Sequence, residues 1–214
     1  REMVLMPGMV TPIVVVRPQS TAVVKRAARL GTPILFVAQR SGELTEPDRE
    51  DLHDVGTVGR LLRVLKFSDG SMRALVEGLR RVRVGELLAG KPVVRCRVTP
   101  MLDLGEDGVE AEALSEAVRE EFHAFARSGG KAPLELEPVV QAITSPSRLA
   151  DYVAGNLPLE PKELQSLLET ADVGQRLQAI RTQLARHREL AEVNARIHAN
   201  VQTAMDRSQR EYYL

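Results

Sequence analysis

The chain has 214 residues, of which 43% are hydrophobic and 3% aromatic, and it contains no Trp. This length suffices for one large domain or two small ones, with a core built mainly from aliphatic side chains. No apolar run approaches the roughly 18 residues of a membrane span, and the first residues lack the basic start of a signal peptide. The single Cys96 lies in an alternating apolar run, which predicts a buried strand residue in a protein of the reducing cytoplasm.

Charge is distributed unevenly along the chain, although the formal net charge is zero. Residues 1–100 carry 17 Lys and Arg against 10 Asp and Glu, residues 101–174 carry 5 against 15, and residues 175–214 carry 7 against 4. The net charges of +7, −10 and +3 indicate three segments with different surfaces.

The first hundred residues predict a β-rich region with one intervening helix. Ser20 is a suitable cap for that helix, which reaches about Leu30. A tight turn at Ser68 to Ser71 predicts the clearest hairpin. The predicted strands are short and apolar or alternating, and they span residues 9–16, 34–38, 57–67, 72–77, 81–84 and 93–98. Strands at this spacing predict a small, mostly antiparallel barrel or sandwich.

Helices are predicted from about residue 109 onward. The predicted helices span residues 109–127, 134–143, 146–156, 161–170 and 172–214. Ser145 and Asp172 are the expected N-caps of the third and the last. No Pro or Gly follows Gly174, so the last helix runs for about 40 residues, on the order of 60 Å.

This long helix carries two apolar stripes that face different directions. The first consists of Val173, Leu177, Ile180 and Leu184, and we expect it to pack on its own domain. The second consists of Leu190, Val193, Ile197, Val201 and Met205. It is expected to meet another copy of the chain or a partner outside it, and these five residues are our candidate assembly surface.

The sequence offers no recognisable catalytic or metal-binding constellation. Neither Gly90-Lys91 nor Gly130-Lys131 is followed by the Ser or Thr of a phosphate-binding loop, and no Gly-x-Ser-x-Gly motif occurs. The four histidines have no metal-ligand spacing, so no metal site is predicted. The basic run Arg80 to Arg83 alternates with Val and is interpreted as a solvated strand face.

Two apolar features suggest a binding surface instead. Met6 and Met9 flank a Pro-Gly pair in a loop-like stretch, and Met suits surfaces that accept varied apolar partners. Leu75 shares a predicted strand face with Arg73 and Glu77, opposite the face of Met72, Ala74 and Val76. Ordinary core packing is the alternative interpretation of both features. With Pro12, these residues (Met6, Met9, Pro12 and Leu75) are our candidate substrate contacts.

Several segments, in this order and spacing, resemble the N-terminal region of Lon-type ATP-dependent proteases. They are Met6-Pro-Gly-Met-Val-Thr-Pro12, Val37-Ala-Gln39, Asp51-Leu-His-Asp-Val-Gly-Thr-Val58, Asp69-Gly70, Leu75-Val-Glu-Gly-Leu-Arg80, Leu149-Ala-Asp151, Leu167-Leu-Glu-Thr-Ala-Asp-Val173 and Ser208-Gln-Arg-Glu-Tyr-Tyr-Leu214. The resemblance covers nearly the whole chain, and its last segment is the most specific.

The resemblance implies an α+β fold: a PUA-like β-barrel subdomain over residues 1–103, an α-helical bundle over residues 109–171, and a very long helix over residues 172–214 leading toward an ATPase domain. It also implies a homohexamer that unfolds damaged and regulatory proteins with ATP and Mg²⁺ and cuts them with a Ser-Lys dyad. The Walker motif and the dyad have no counterparts here, so we expect this chain itself to be non-catalytic and without cofactors.

Substrate recognition and hexamer assembly are therefore the predicted functions, with unfolded proteins and further copies of the chain as partners and no membrane. Two alternatives are retained. One is a nucleic-acid-binding module that uses the basic first segment and the Arg-rich last helix, with DNA as the partner. The other is a stand-alone adaptor of the same family.

Overall fold

The computed structural model describes residues 3–42, 44, 47–68, 71–88, 90, 93–128 and 134–212, with the backbone alone for 198–212. Its strands are β1 (Val10–Val15), β2 (Ile34–Phe36), β3 (Val55–Lys66), β4 (Met72–Leu88) and β5 (Arg95–Pro100). Its helices are α1 (Pro18–Leu30), α2 (Val109–Arg127), α3 (Glu137–Ala142), α4 (Pro146–Asn156), α5 (Pro161–Glu169) and α6 (Val173–Tyr212). The α+β class and the long last helix are confirmed.

The strands form one five-stranded antiparallel sheet in the order β1-β4-β3-β2, and β5 also pairs with β4. The long β3–β4 hairpin is its centre. The register shifts at Val58/Gly59 and again at Leu61/Arg63, and such bulges bend and twist the strands. Residues 81–84, predicted as a separate strand, continue β4 across the first of these bulges. The predicted turn at Asp69-Gly70 lies outside the described residues.

Most helix ends follow local chemistry. The Ser145 hydroxyl accepts a hydrogen bond from the Arg148 backbone N–H, and Asp172 accepts one from Gln175 N at 2.8 Å, so both predicted N-caps are confirmed. Ser20 was wrongly predicted as a cap. Helix α1 begins at Pro18, whose fixed φ suits the first helical position, and the preceding Arg17 makes no side-chain cap.

The N-terminal segment is wedged between the sheet and the helices. Val4 and Met6 belong to the larger core cluster, which is built mainly from α2, α4, α5 and α6. Leu5 points the other way, into a smaller cluster formed by the sheet and α1. The segment lies so close to β4 that a Cβ on Gly78 would lie 2.2 Å from the Met6 carbonyl oxygen. Only glycine fits at that crossing.

A buried ionic network joins the sheet to the helical layer. Arg81 of β4 donates hydrogen bonds of 2.5 Å to both Asp103 and Asp151. Arg176, in the first turn of α6, donates to Asp103 at 2.7 Å and to the Ser147 hydroxyl at 2.7 Å. Both guanidinium groups are buried. The interpretation of Arg81 as a solvated residue was therefore wrong, because carboxylates on the helical side compensate its charge.

Asp151, on α4, is the most deeply buried acid of this network. Its desolvation raises the pKa from the ordinary value of 3.8 to about 7, although Arg81 pulls the pKa down. The neighbouring Asp103 adds a smaller upward shift of the pKa, because two carboxylates near each other oppose ionisation.

Removal of one member of this network should destabilise the fold. In Arg81→Met the carboxylates of Asp103 and Asp151 lose a buried partner, and we expect the free energy of unfolding to fall by about 3–5 kcal/mol. Urea denaturation measures this loss. The neighbouring Arg80 is exposed, so Arg80→Met should change stability by about 0.5 kcal/mol or less. Equal effects of the two variants would contradict the structural role of the network.

Asp151→Asn should alter how stability depends on pH. Because the folded-state pKa of Asp151 lies above 3.8, the folded protein holds an extra proton between about pH 4 and 7. The parent protein therefore loses the Asp151 contribution to stability as the pH rises through this window. The variant has no such titration, so its stability relative to the parent should rise by up to ~1.4 kcal/mol per pH unit between pH 5 and 7. Urea titrations at pH 5, 6 and 7 test this, and a relative fall of the variant would contradict it.

Candidate functional site

One face of the sheet, turned away from the helices, carries an exposed apolar surface. It is formed by alternate residues of β1, β4 and β3, since alternate side chains point to the same face of a strand. We name it the outer apolar face, and its members are Val10, Pro12, Val14, Leu65, the half-buried Leu75, and Phe67 directly after β3. Val14 exposes 64% of its surface and Leu65 46%. The opposite face of the same strands holds the buried Met72, Ala74 and Val76, as the sequence predicted.

The register places these residues in rows across three strands. Pro12 faces Leu75, which in turn faces Arg63 on β3. The next row joins Val14 to Arg73 and Leu65. Apolar groups in these rows are thus interleaved with the long side chains of exposed arginines. The result is a surface that offers aliphatic contact area beside hydrogen-bond donors.

Arg60, Glu77 and Arg73 on this face each have a defined partner. Arg60 donates to Glu77 at 2.5 Å across the β3–β4 pair. The Arg73 guanidinium carbon lies 5.1 Å from the centroid of the Phe67 ring, within cation–π distance. Pro12 and Val14 between these groups stay exposed, and Leu75 is half-buried.

The structure brings two of the four predicted contact residues together. Pro12 and Leu75, 63 positions apart in the sequence, are direct cross-strand partners on the outer apolar face. Proline is tolerated here because β1 is at the end of the strand order, where one side of its backbone makes no ladder among the described residues.

The two methionines lie elsewhere. Met6 is fully buried, so its prediction as an exposed contact was wrong. The reason is that its segment crosses β4 at Gly78 and packs into the helical core. The loop-like turn begins only after it: Met9 N–H donates to the Met6 carbonyl at 3.1 Å, and Gly8 takes a positive φ of 76°. Met9 is half-buried, and its side chain packs against Gly155 of α4, where a Cβ would lie 3.4 Å from that of Met9.

Four members of the outer apolar face were not predicted as contacts: Val10, Val14, Leu65 and Phe67. For Val10 and Val14 the signal was present in the strand of residues 9–16, which is apolar at nearly every position rather than at every second one. A strand of a sheet with one covered face needs apolar residues on that face only. The excess on β1 therefore marks a second apolar surface.

The candidate assembly surface on α6 is exposed where the structure describes it. The first stripe, from Val173 to Leu184, is fully buried, as predicted. In the second stripe Leu190 exposes 50% of its surface, Val193 44% and Ile197 53%. The side chains of Val201 and Met205 lie outside the described residues. The change of direction between the stripes thus separates a packed half of the helix from an exposed one.

Within the described part of the chain, no group of three or more His, Cys, Asp or Glu residues is arranged to hold a metal ion. No described helix combines the length and the apolar character that a membrane crossing requires. Cys96 lies on β5 as predicted, but it is half-buried rather than buried.

Solved structures match this fold. The chain is similar to the N-terminal domain of Mycobacterium avium complex Lon protease, with a TM-score of 0.72 and 25% identity over 86% of this chain and 94% of that one. The fold is also that of a Lon N-terminal domain protein from Xanthomonas campestris, with a TM-score of 0.56 and 19% identity over 83% of this chain and 91% of that one. The class of protein is thus a Lon-type N-terminal fold.

Sequence comparisons give the family. The family model of the ATP-dependent protease La (LON) substrate-binding domain matches residues 1–186. Lon protease of Haemophilus influenzae is 34% identical over the whole of this chain, and Lon protease of Escherichia coli K12 is also 34% identical over the whole chain. The chain therefore belongs to the family of Lon substrate-binding domains. It spans 27% of the length of each of these two relatives.

Proposed function

We propose that this chain is the substrate-capturing region of an ATP-dependent serine protease, acting in the cytoplasm on unfolded and damaged proteins. The observation that carries the proposal is the exposed outer apolar face on a chain of the substrate-binding family. Folded proteins bury their large apolar side chains, whereas unfolded ones expose them. A rigid apolar face therefore selects against folded proteins without reading a particular sequence.

The geometry suits weak and tolerant capture. The outer apolar face is a strand surface rather than a deep pocket, so it imposes few steric limits on the segment it holds. Arg63 and Arg73, beside Leu75, can donate hydrogen bonds to the carbonyl groups that an extended polypeptide presents. Weak contact at one face becomes effective when several copies act together, because linked sites raise the effective concentration.

We propose self-association through the exposed stripe of α6 as the second function. Leu190, Val193 and Ile197 lie on one face of a helix that has no cover there among the described residues. Helices with such stripes pair by packing them together. The hexamer implied by the sequence resemblance would bring six outer apolar faces into one assembly.

The nucleotide that the family name implies finds no fitting residues in this chain. The sequence has no phosphate-binding loop, and the described residues hold no acidic cluster that suits Mg²⁺. We propose that ATP hydrolysis and peptide cleavage belong to the part of the Lon relatives that this chain does not match.

Binding of a fluorescent, permanently unfolded protein tests the capture hypothesis. The double variant Val14→Ser with Leu75→Ser should weaken this binding about tenfold, because it removes two apolar side chains from the outer apolar face. Fluorescence anisotropy measures the Kd at low and high salt. The affinity of apolar capture should depend little on salt. The affinity of an electrostatic site, such as a nucleic-acid-binding surface, would fall steeply as the salt concentration rises.

The control removes two exposed apolar side chains elsewhere. Leu102 and Val109 expose 76% and 84% of their surfaces, and neither lies on the outer apolar face. Leu102→Ser with Val109→Ser should leave the Kd unchanged. Equal weakening by both double variants, or none by the first, would contradict the proposal. Met9→Ser is unsuitable as a test because Met9 packs on Gly155.

Two variants test self-association, each with one added charge on a different side of α6. Ile197→Glu places a carboxylate within the exposed stripe, and we expect about a tenfold rise in the dissociation constant of the oligomer. Ala195→Glu adds the same charge on the opposite side of the helix and should leave it unchanged. Sedimentation equilibrium measures both constants. A monomeric parent chain at all concentrations, or equal effects of the two variants, would contradict the role of this stripe.

A further inference from the structure

A cleft of about 880 Å³ is lined by residues of α1, by Val64, Lys66 and Met72 of β3 and β4, and by Gly90, Val93 and Arg95. Five of its lining residues are cationic: Lys25, Arg26, Arg29, Lys66 and Arg95. No Asp or Glu is among the described residues that line it. We name it the cationic cleft. It is separate from the outer apolar face, because Lys66 and Leu65 are consecutive on β3 and point to opposite faces.

The five cations of this cleft make no ion pair with another described residue of the chain. All five are exposed. Arg40, Arg49 and Arg60 elsewhere on the β-rich region, in contrast, form ion pairs. Five like charges around one concavity repel each other and focus a positive potential into it. An anionic ligand relieves that repulsion, so the arrangement is that of an anion-binding surface.

The lining also indicates which anion fits. Ala22, Val64, Met72 and Val93 give the cleft aliphatic walls. The two methylene groups of a Glu side chain can pack on these walls, whereas a phosphate group cannot. No aromatic ring lines the cleft among its described residues, so nucleic-acid bases have no stacking surface there. The three arginines match carboxylates with paired N–H donors.

We propose that the cationic cleft binds short acidic segments of polypeptides. The assignment of these segments to client proteins rests on the proposed function, whereas the binding of an acidic peptide by the cleft does not. A client chain that crosses the end of the β3–β4 hairpin can place carboxylates in the cleft and apolar residues on the outer apolar face. The domain would then favour clients in which acidic and apolar stretches are neighbours.

The test uses a labelled 12-residue Glu-rich peptide and a neutral peptide with Gln at each Glu position. Fluorescence anisotropy with the whole chain should show the Glu peptide bound at least about tenfold more tightly, with affinity falling between 50 and 300 mM salt. The triple variant Lys25→Gln, Arg29→Gln and Arg95→Gln should weaken Glu-peptide binding about tenfold, as expected for the loss of three exposed ion pairs.

The control removes the same net charge outside the cleft. Arg80→Gln, Arg83→Gln and Arg148→Gln changes three exposed arginines and should leave Glu-peptide binding within about twofold of the parent. Equal loss in both triple variants, or equal binding of the Gln peptide, would overturn the proposal. Tighter competition by a single-stranded oligonucleotide of equal charge would overturn it in favour of a phosphate polymer.

A further comparison separates this proposal from the capture hypothesis. Val14→Ser with Leu75→Ser should leave the Glu peptide bound as in the parent, because neither residue lines the cationic cleft. The cleft triple variant should bind a neutral unfolded protein normally. Loss of Glu-peptide binding in the Val14 and Leu75 variant would overturn the assignment of that peptide to the cleft, whatever the outcome for unfolded proteins.

Discussion

The buried ionic network around Arg81 fixes how the helical layer meets the sheet. Its members come from β4, from the connection after β5, from α4 and from α6, so four distant parts of the chain converge on one point. Buried ion pairs contribute little net stability compared with apolar packing, because desolvation offsets the attraction between the charges. The hydrogen bonds of these pairs are directional, however, whereas apolar contacts between two layers are not. The network therefore specifies orientation more than it adds stability.

That orientation decides which face of the sheet is covered. The helices and the N-terminal segment occupy one side, where Val4 and Met6 join the helical core. The outer apolar face is left open as a consequence, since no described helix crosses it. The exposure of Val14 and Leu65 is thus a property of the whole architecture. It would disappear if the helical layer packed on the other side.

Sequence patterns predicted the elements well where the signal was local. The caps at Ser145 and Asp172, the proline starts, and the change of stripe direction in α6 all depend on residues within a few positions of each other. The burial of Arg81 could not be predicted in this way, because its partners Asp103 and Asp151 follow 22 and 70 positions later. The same limit applies to Met6, whose burial depends on a crossing with Gly78.

The candidate site shows the same division. Leu75 was identifiable because it breaks a polar strand face, and that is a local pattern. Its pairing with Pro12 depends on the register between β1 and β4. That register continues without a bulge from Val10 to Val15. The cationic cleft was visible only as an excess of 17 Lys and Arg over 10 Asp and Glu in residues 1–100. Folding turns that diffuse excess into a local one, because α1, β3 and β5 each bring cations to one concavity.

Arg176 connects the buried ionic network to the last helix of the chain. It lies in the first turn of α6, and its hydrogen bonds to Asp103 and Ser147 hold that turn against the connection after β5 and against α4. The buried stripe from Val173 to Leu184 continues the attachment for about three turns. Arg188 still donates a hydrogen bond to Glu121 of α2 at 2.9 Å, and beyond it the direction of the helix is set by the attached half. A change in the network would consequently be magnified along α6, because a small rotation at the root of a long rigid helix displaces its distant end by a proportionally larger distance.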